Sequence, residues 1–354
     1  MLRRNFLLTS LAATVRNLRA AAPGLKLGYD TYSIRAWGLK AMEHLDFAAA
    51  HGLTAIQISS LGDFESLEPA HLARVKARAA ELGITIDGGT GCVCPTAKAW
   101  RASFGDPVEN LNKALRAAHA VGARSLRCYL GDSVDRLHPN GIEYHMESLL
   151  KVLRGARPVA LETGVKIAIE NHSGDLQAWE LRQLIETAGT DAVAACLDTG
   201  NPIWCAEHPE VTLEVLGPVT VTTHVRDTAL FEHPRGCAAM WTACGDGSVD
   251  LKRLAELQKK LCPQAPLHLE IITGRPPRIV PYLEDSFWKA FPKARASEFA
   301  RFVSLVKKGG PLMGAMVVED AGGAKVPEYQ AALKQQQKLD LERSLEYAKR
   351  SMIA

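Results

Sequence analysis

One unit recurs along this chain: an alanine-rich stretch, a glycine, then a short apolar run. AAAHGLTAIQI turns at Gly52, ARAAELGITID at Gly83, RAAHAVGARSLRCYL at Gly122 and ALETGVKIAIE at Gly164. Gly189 then precedes VAACLD, and Gly217 precedes VTVTTHV. Alanine and leucine with charged partners favour helix. Glycine takes the left-handed conformation that ends a helix. The apolar run after it is nearly unbroken, as in a parallel strand covered on both faces.

Strands are expected at Leu25–Asp30, Ala55–Ser59, Ile84–Asp87, Ser125–Leu130, Lys166–Glu170, Val193–Asp198, Val219–Val225 and Leu267–Ile272. Eight such units in about 250 residues predict an α/β fold, a closed (β/α)8 TIM barrel. An open doubly wound sheet is the alternative, but no GxGxxG follows the first strand. A helix over Ser297–Val306 sets Phe299, Phe302, Val303 and Val306 at i, i+3, i+4 and i+7 and is expected to close the ring. Gly309-Gly310-Pro311 then breaks the chain. The helix from about Pro327 carries one stripe of Leu341, Leu345, Ala348 and Met352, which reads as a strap on the barrel wall and is open to a second role in a homo-oligomer contact. The expected organisation is a signal segment at 1–22, the barrel at 23–310, and a C-terminal helical extension at 311–354.

The N-terminus reads differently. Arg3-Arg4 precedes a short apolar run to Val15, and Ala20-Ala21-Ala22 offers a small-residue cleavage site. This is the pattern of a twin-arginine export signal and predicts a periplasmic or secreted protein, with a cytoplasmic one as the alternative. The apolar run is too short for a membrane anchor. Residues 1–22 contain four arginines and no acid, so their removal changes 42 basic against 39 acidic residues to 38 against 39. A near-neutral mature chain gives no footprint for nucleic acid. The eight cysteines form no CxxC pair. Cys128 and Cys196 fall in strands and read as small core residues.

In such a barrel the chemistry sits at the C-terminal strand ends. The last four strands end in KIAIENH, ACLDTGN, TTHVRD and LHLEIIT, which deliver Glu170, Asp198, His224 and Glu270. Each alone has a structural reading: a cap, a turn, a core histidine, an ion pair. Together they place three carboxylates in one dry cup, where like charges raise one another's pKa or require a cation. Three oxygen donors and one imidazole suit Mn²⁺ or Mg²⁺, with Co²⁺ or Zn²⁺ as further options.

These motifs, with CGDGSVD further on, resemble the sugar phosphate isomerase/epimerase superfamily, the xylose isomerase-like barrels, over roughly residues 25 to 308. The resemblance implies one divalent metal ion held by Glu170, Asp198, His224 and Glu270. It implies a small carbohydrate substrate, with Glu170 and Glu270 moving a proton beside a carbonyl through an enediolate. His172, Asn201 and Arg226 adjoin the ligands and are expected to bind substrate oxygens. An equally weighted role for His172 is to orient a ligand, and Asp227 is a candidate ion-pair partner of Arg226. In ketose 3-epimerases a histidine lies three residues after the strand-six aspartate. Asn201 stands there in this chain, so that reaction does not carry over.

Two long segments, 228–248 and 273–292, are expected to be binding loops or lids without structure of their own. Arg275 and Arg278 in the second read as solvated surface residues. An exported enzyme would not meet free sugar phosphates, so an oxidised sugar, a keto-glycoside or a cyclitol is expected. A lyase or dehydratase would use the same enolisation. An abasic-site endonuclease needs further histidines at strands one to four, whose ends (YDTY, QISS, DGGT, CYLG) supply none. A non-catalytic carbohydrate-binding barrel would have no need of all four ligands.

Overall fold

The computed structural model describes residues 24–313, 317–320 and 322–353. The expected export signal lies outside them. Eight parallel strands form the barrel: β1 (Leu27–Asp30), β2 (Ala55–Ile58), β3 (Thr85–Cys92), β4 (Ser125–Tyr129), β5 (Lys166–Glu170), β6 (Val193–Asp198), β7 (Thr220–His224) and β10 (Leu267–Leu269). They are hydrogen-bonded in the order β10-β1-β2-β3-β4-β5-β6-β7. A parallel bridge between Val225 and Leu269 closes the ring, with Val225 N–H donating to His268 O (2.8 Å) and Glu270 N–H to Val225 O (3.1 Å). The expected TIM barrel is therefore the observed fold. Its strands are buried on both faces, and β1, β2 and β6 are buried at every position.

The barrel helices are α1 (Ala41–Ala50), α2 (Pro69–Leu82), α3 (Pro107–Ala120), α4 (Gly141–Thr163), α5 (Ala178–Ala188), α6 (Pro209–Leu216) and α7 (Leu251–Leu261). Gly83 (φ 67°) and Gly164 (φ 68°) end α2 and α4 in the left-handed conformation, as expected. Gly217 does not: its φ is −46°, and a Cβ there would lie 2.8 Å from Leu261 Cβ. That glycine serves close helix packing.

Two expectations are corrected. The segments 228–248 and 273–292 are not structureless loops. The first folds into the hairpin β8 (Asp227–His233) and β9 (Gly236–Thr242), and the second adds β11 (Arg278–Val280) antiparallel to β9 and the short helix α8 (Asp285–Lys289). The alternation in LFEH and AAMW was masked by proline and glycine on either side. The second correction concerns α9 (Ala296–Lys308), which does not close the ring. Phe302, Leu305 and Val306 pack instead with Leu230, Ala239, Val280 and Tyr282 in a second core behind the small sheet. The stripe of α10 (Pro327–Ser351), namely Leu341, Leu345 and Ala348, joins the main barrel core together with Met352 just beyond it. α10 thus covers the wall beside β10. Among the described residues no helix is long and apolar enough to cross a membrane.

Candidate functional site

The four strand-end residues converge. Glu170, Asp198, His224 and Glu270 are all buried, and each offers a ligand atom such that all four lie within 4.8 Å of one another. Register explains this: Asp198 pairs directly with His224 across β6 and β7, and Glu170 ends the neighbouring strand.

Asp198 divides its carboxylate between two tasks. Oδ1 accepts from the N–H groups of Gly200 and Asn201, both at 2.7 Å, and so starts the turn at Asn201–Cys205. Oδ2 is buried with no hydrogen bond. The side chain of Asn171 brackets the backbone of Asp198, donating to its carbonyl (2.9 Å) and accepting from its N–H (2.8 Å). Burial pushes the Asp198 carboxyl up to about 6, against the pull of Arg226. Its free oxygen faces His224 Nδ1 at 3.8 Å, while Glu170 Oε1 lies 3.4 Å and Glu270 Oε2 3.1 Å from the same nitrogen.

His224 is oriented from below. Its Nε2–H donates to Gln57 Oε1 on β2, and Asp30 Oδ2 lies 3.5 Å away. Gln57 in turn donates to Thr222 Oγ1 at 3.1 Å. Nδ1 thereby faces the carboxylates, and it would be the nitrogen to bind a metal once its proton is lost. Burial opposes charge on the ring, yet the acidic surroundings, Glu170 and Asp30 among them, hold its pKa up to about 10. The cluster is therefore a site for positive charge.

Two arginines supply part of that charge. Arg127 on β4 engages Glu170 Oε2 through both Nε and Nη2, while its Nη1 donates to Thr90 O at 3.1 Å. Burial would raise the Glu170 pKa, but Arg127 and His224 outweigh it and hold the carboxyl well below its usual value. Arg226 turns inward, as strand alternation predicts, and its Nη2 pairs with Glu270 Oε2. Its Nε lies 2.8 Å from Asp198 Oδ2 but off the hydrogen-bonding line, so neither atom makes a hydrogen bond. Gly200 permits this approach, since a Cβ there would fall 2.9 Å from Arg226 Cβ.

The donor set fits a divalent cation. Asp198 Oδ2 and His224 Nδ1 are buried atoms without hydrogen bonds, and Glu270 Oε2 has only its ion pair with Arg226. They converge on one point, and three oxygens with one imidazole nitrogen are hard-to-borderline donors.

A cavity of about 580 Å³ opens above the cluster, with Glu270, Arg226, Arg127 and His172 on its wall. His172 stacks on Tyr129 (3.8 Å between centroids), and its Nδ1 donates to Gly131 O at 2.6 Å. Burial lowers its pKa to about 4, so the ring is neutral. Asn201 is placed elsewhere: it is off the cavity wall and donates to Glu170 Oε1 at 3.0 Å. Asp227 does not pair with Arg226. It accepts from the N–H groups of Thr228, Gly245, Gly247 and Val249, and so shapes the CGDGSVD turn. Sequence reasoning missed Asp30, Gln57 and Arg127, although polar residues inside the apolar runs AIQI and SLRCYL were a readable signal.

A parallel barrel with a carboxylate–histidine cluster at its C-terminal mouth defines the class: a TIM barrel whose strand-end site could hold a metal ion. The chain belongs to the xylose isomerase-like TIM barrel family, whose profile matches residues 45–286. It is 24% identical over 219 residues, 61% of this chain and 71% of the other, to the 3-oxo-isoapionate decarboxylase of Pectobacterium atrosepticum. Its fold is similar to D-psicose 3-epimerase solved in the presence of D-fructose (TM-score 0.61, 15% identity, 93% of this chain and 100% of that one). It is also similar to the 3-keto-D-glucoside 4-epimerase of E. coli (TM-score 0.54, 16% identity, 76% and 98%).

Proposed function

We propose that this chain is a divalent-metal-dependent enzyme that moves a proton beside the carbonyl of a small keto-sugar, as an isomerase or epimerase. The observation carrying this reading is the convergence of Glu170, Asp198, His224 and Glu270 within 4.8 Å at the cavity floor. Those four residues would hold the ion, which would supply a Lewis acid for the substrate carbonyl. Glu270 borders the cavity and takes the substrate proton on its carboxylate. Glu170 is the second acid/base group; Asn201 and Arg127 fix its orientation. Arg226 presents donors and the neutral His172 ring its Nε2 acceptor from the wall, and Trp204 and Trp241 narrow the access of water.

A second reading is loss of a group from the same enolate, as in a lyase. The decarboxylase named above favours it, since decarboxylation of a 3-oxo acid passes through the same kind of enolate. One experiment separates the two. The protein is loaded with Mn²⁺, its metal content is measured by elemental mass spectrometry beside Asp198→Ala, and keto-sugars are incubated with it in D₂O. One metal equivalent, reduced in the variant, with deuterium in recovered substrate supports the isomerase reading. Released CO₂ supports the lyase. Absence of metal from the Mn²⁺-supplied protein removes both.

A further inference from the structure

We propose that the substrate carries a carboxylate and that Arg278, with Arg275 beside it, binds that group at the mouth of the cavity. The inference rests on the function proposed above and names the substrate class. Four arginines line the cavity, Arg127, Arg226, Arg275 and Arg278, against a single carboxylate, Glu270. The first two are engaged by Glu170, Asp198 and Glu270. Arg275 is held only loosely, 3.8 Å from Asp320, an acid that Arg35 already engages. Among the described residues Arg278 has no acid within ion-pair distance, and the one acid that acts on it, Asp132, does so from farther away.

Its position is nonetheless fixed. Arg278 sits on β11, paired opposite Ala239, and its guanidinium lies 4.4 Å over the Trp204 ring. Trp204 meets Trp241 edge to face at 5.4 Å, and Trp241 lies under Arg226 at 4.5 Å. One wall of the cavity therefore runs arginine, tryptophan, tryptophan, arginine from the carboxylate cluster to the mouth. A stacked guanidinium keeps its in-plane N–H groups free, and that planar fork matches the two oxygens of a carboxylate. Arg278 is exposed at the mouth, so an incoming anion meets guanidinium N–H groups that no acid of the chain holds in an ion pair. Both arginines are exposed, as the sequence reading of solvated surface residues expects, and they stand at the mouth of the cavity. A keto-sugar acid fits: its carbonyl lies at the cluster and its carboxylate at the far end of the wall.

The test is calorimetric titration of the full chain loaded with Mn²⁺, using D-fructose, D-fructuronate and D-fructose 6-phosphate. The expected result is binding of D-fructuronate about tenfold or more tighter than D-fructose, the size of one charge-assisted contact. Arg278→Gln should bring the two within about twofold while its Mn²⁺ content, read by elemental mass spectrometry, stays at the wild-type value. Equal binding of the acid and the neutral ketose by the wild type, no binding of the acid, or an advantage that survives in Arg278→Gln overturns the proposal. Tighter binding of the phosphate ester than of the uronate overturns the carboxylate assignment. A wild-type protein that takes up no Mn²⁺ counts against the function proposed above, whereas a loaded protein indifferent to charge counts against this inference alone.

Discussion

Asp198 shows how one residue satisfies two readings of the same sequence. As a turn residue after a buried strand it caps the Asn201–Cys205 turn with Oδ1. Its other oxygen is free for the cluster. A capping role and a ligand role are thus compatible, because a carboxylate has two oxygens pointing in different directions. Gln57 makes the complementary case. Its one mark in the sequence is a polar residue inside the apolar run AIQI, and it holds the ring of His224 from across the barrel. Gln57→Leu removes that acceptor, and removal of a ligand's outer hydrogen bond typically costs about 10–100-fold in metal affinity. Mn²⁺ titration followed by intrinsic fluorescence should show this loss with unchanged circular dichroism. An unaltered affinity would refute the orienting role.

At the scale of elements, the periodic units were legible because the glycines and apolar runs lie in one contiguous stretch. The β8–β9–β11 sheet was not, because its third strand comes from a segment about 40 residues away. The eighth helix position was misassigned for a related reason. α9 and α10 both carry an apolar stripe, and only packing decides which faces the barrel. Leu345 on α10 is fully buried and Leu339 is half-exposed. Leu345→Ala should destabilise by about 2–5 kcal/mol, and Leu339→Ala by no more than about 0.5 kcal/mol, in urea unfolding. Similar effects at both sites would contradict the packing. Between elements, Glu207 accepts from Ala178 N–H (3.1 Å) and Thr212 Oγ1 (2.5 Å), tying α5 to α6. Burial pushes its pKa up from 4.5 to about 7. The folded state therefore binds a proton that the unfolded state has released between those values, and stability falls as pH rises through that window. Glu207→Gln stays neutral. Its stability relative to wild type should improve by up to about 1.4 kcal/mol per pH unit between pH 5 and pH 7. A pH-independent difference would mean that Glu207 does not titrate there.

For the whole molecule, an ion held by the cluster would link folding to binding. The four cluster residues come from four strand ends of one closed ring, so unfolding disperses them all. A cation bound only by the folded chain stabilises it by about 2.7 kcal/mol at a hundred times its dissociation constant. Mn²⁺ should raise the melting temperature of the wild type, EDTA should reverse the rise, and Asp198→Ala should show little response. A Mn²⁺-independent melting temperature would show that the four residues serve structure alone.

The sequence by itself determined the repeat, and with it the barrel, because helix termination and strand burial depend on neighbouring residues. It also determined which four side chains meet in one cluster, since strand ends in a barrel share one face. Tertiary structure alone decided which helix covers β10, how the long segments pair, and that Arg127, Asp30 and Gln57 complete the site. Those contacts join residues from separate strands, and their geometry exists only once the ring has closed. The same holds for Arg278, which is an ordinary loop arginine in sequence and a cavity residue once β11 pairs with β9.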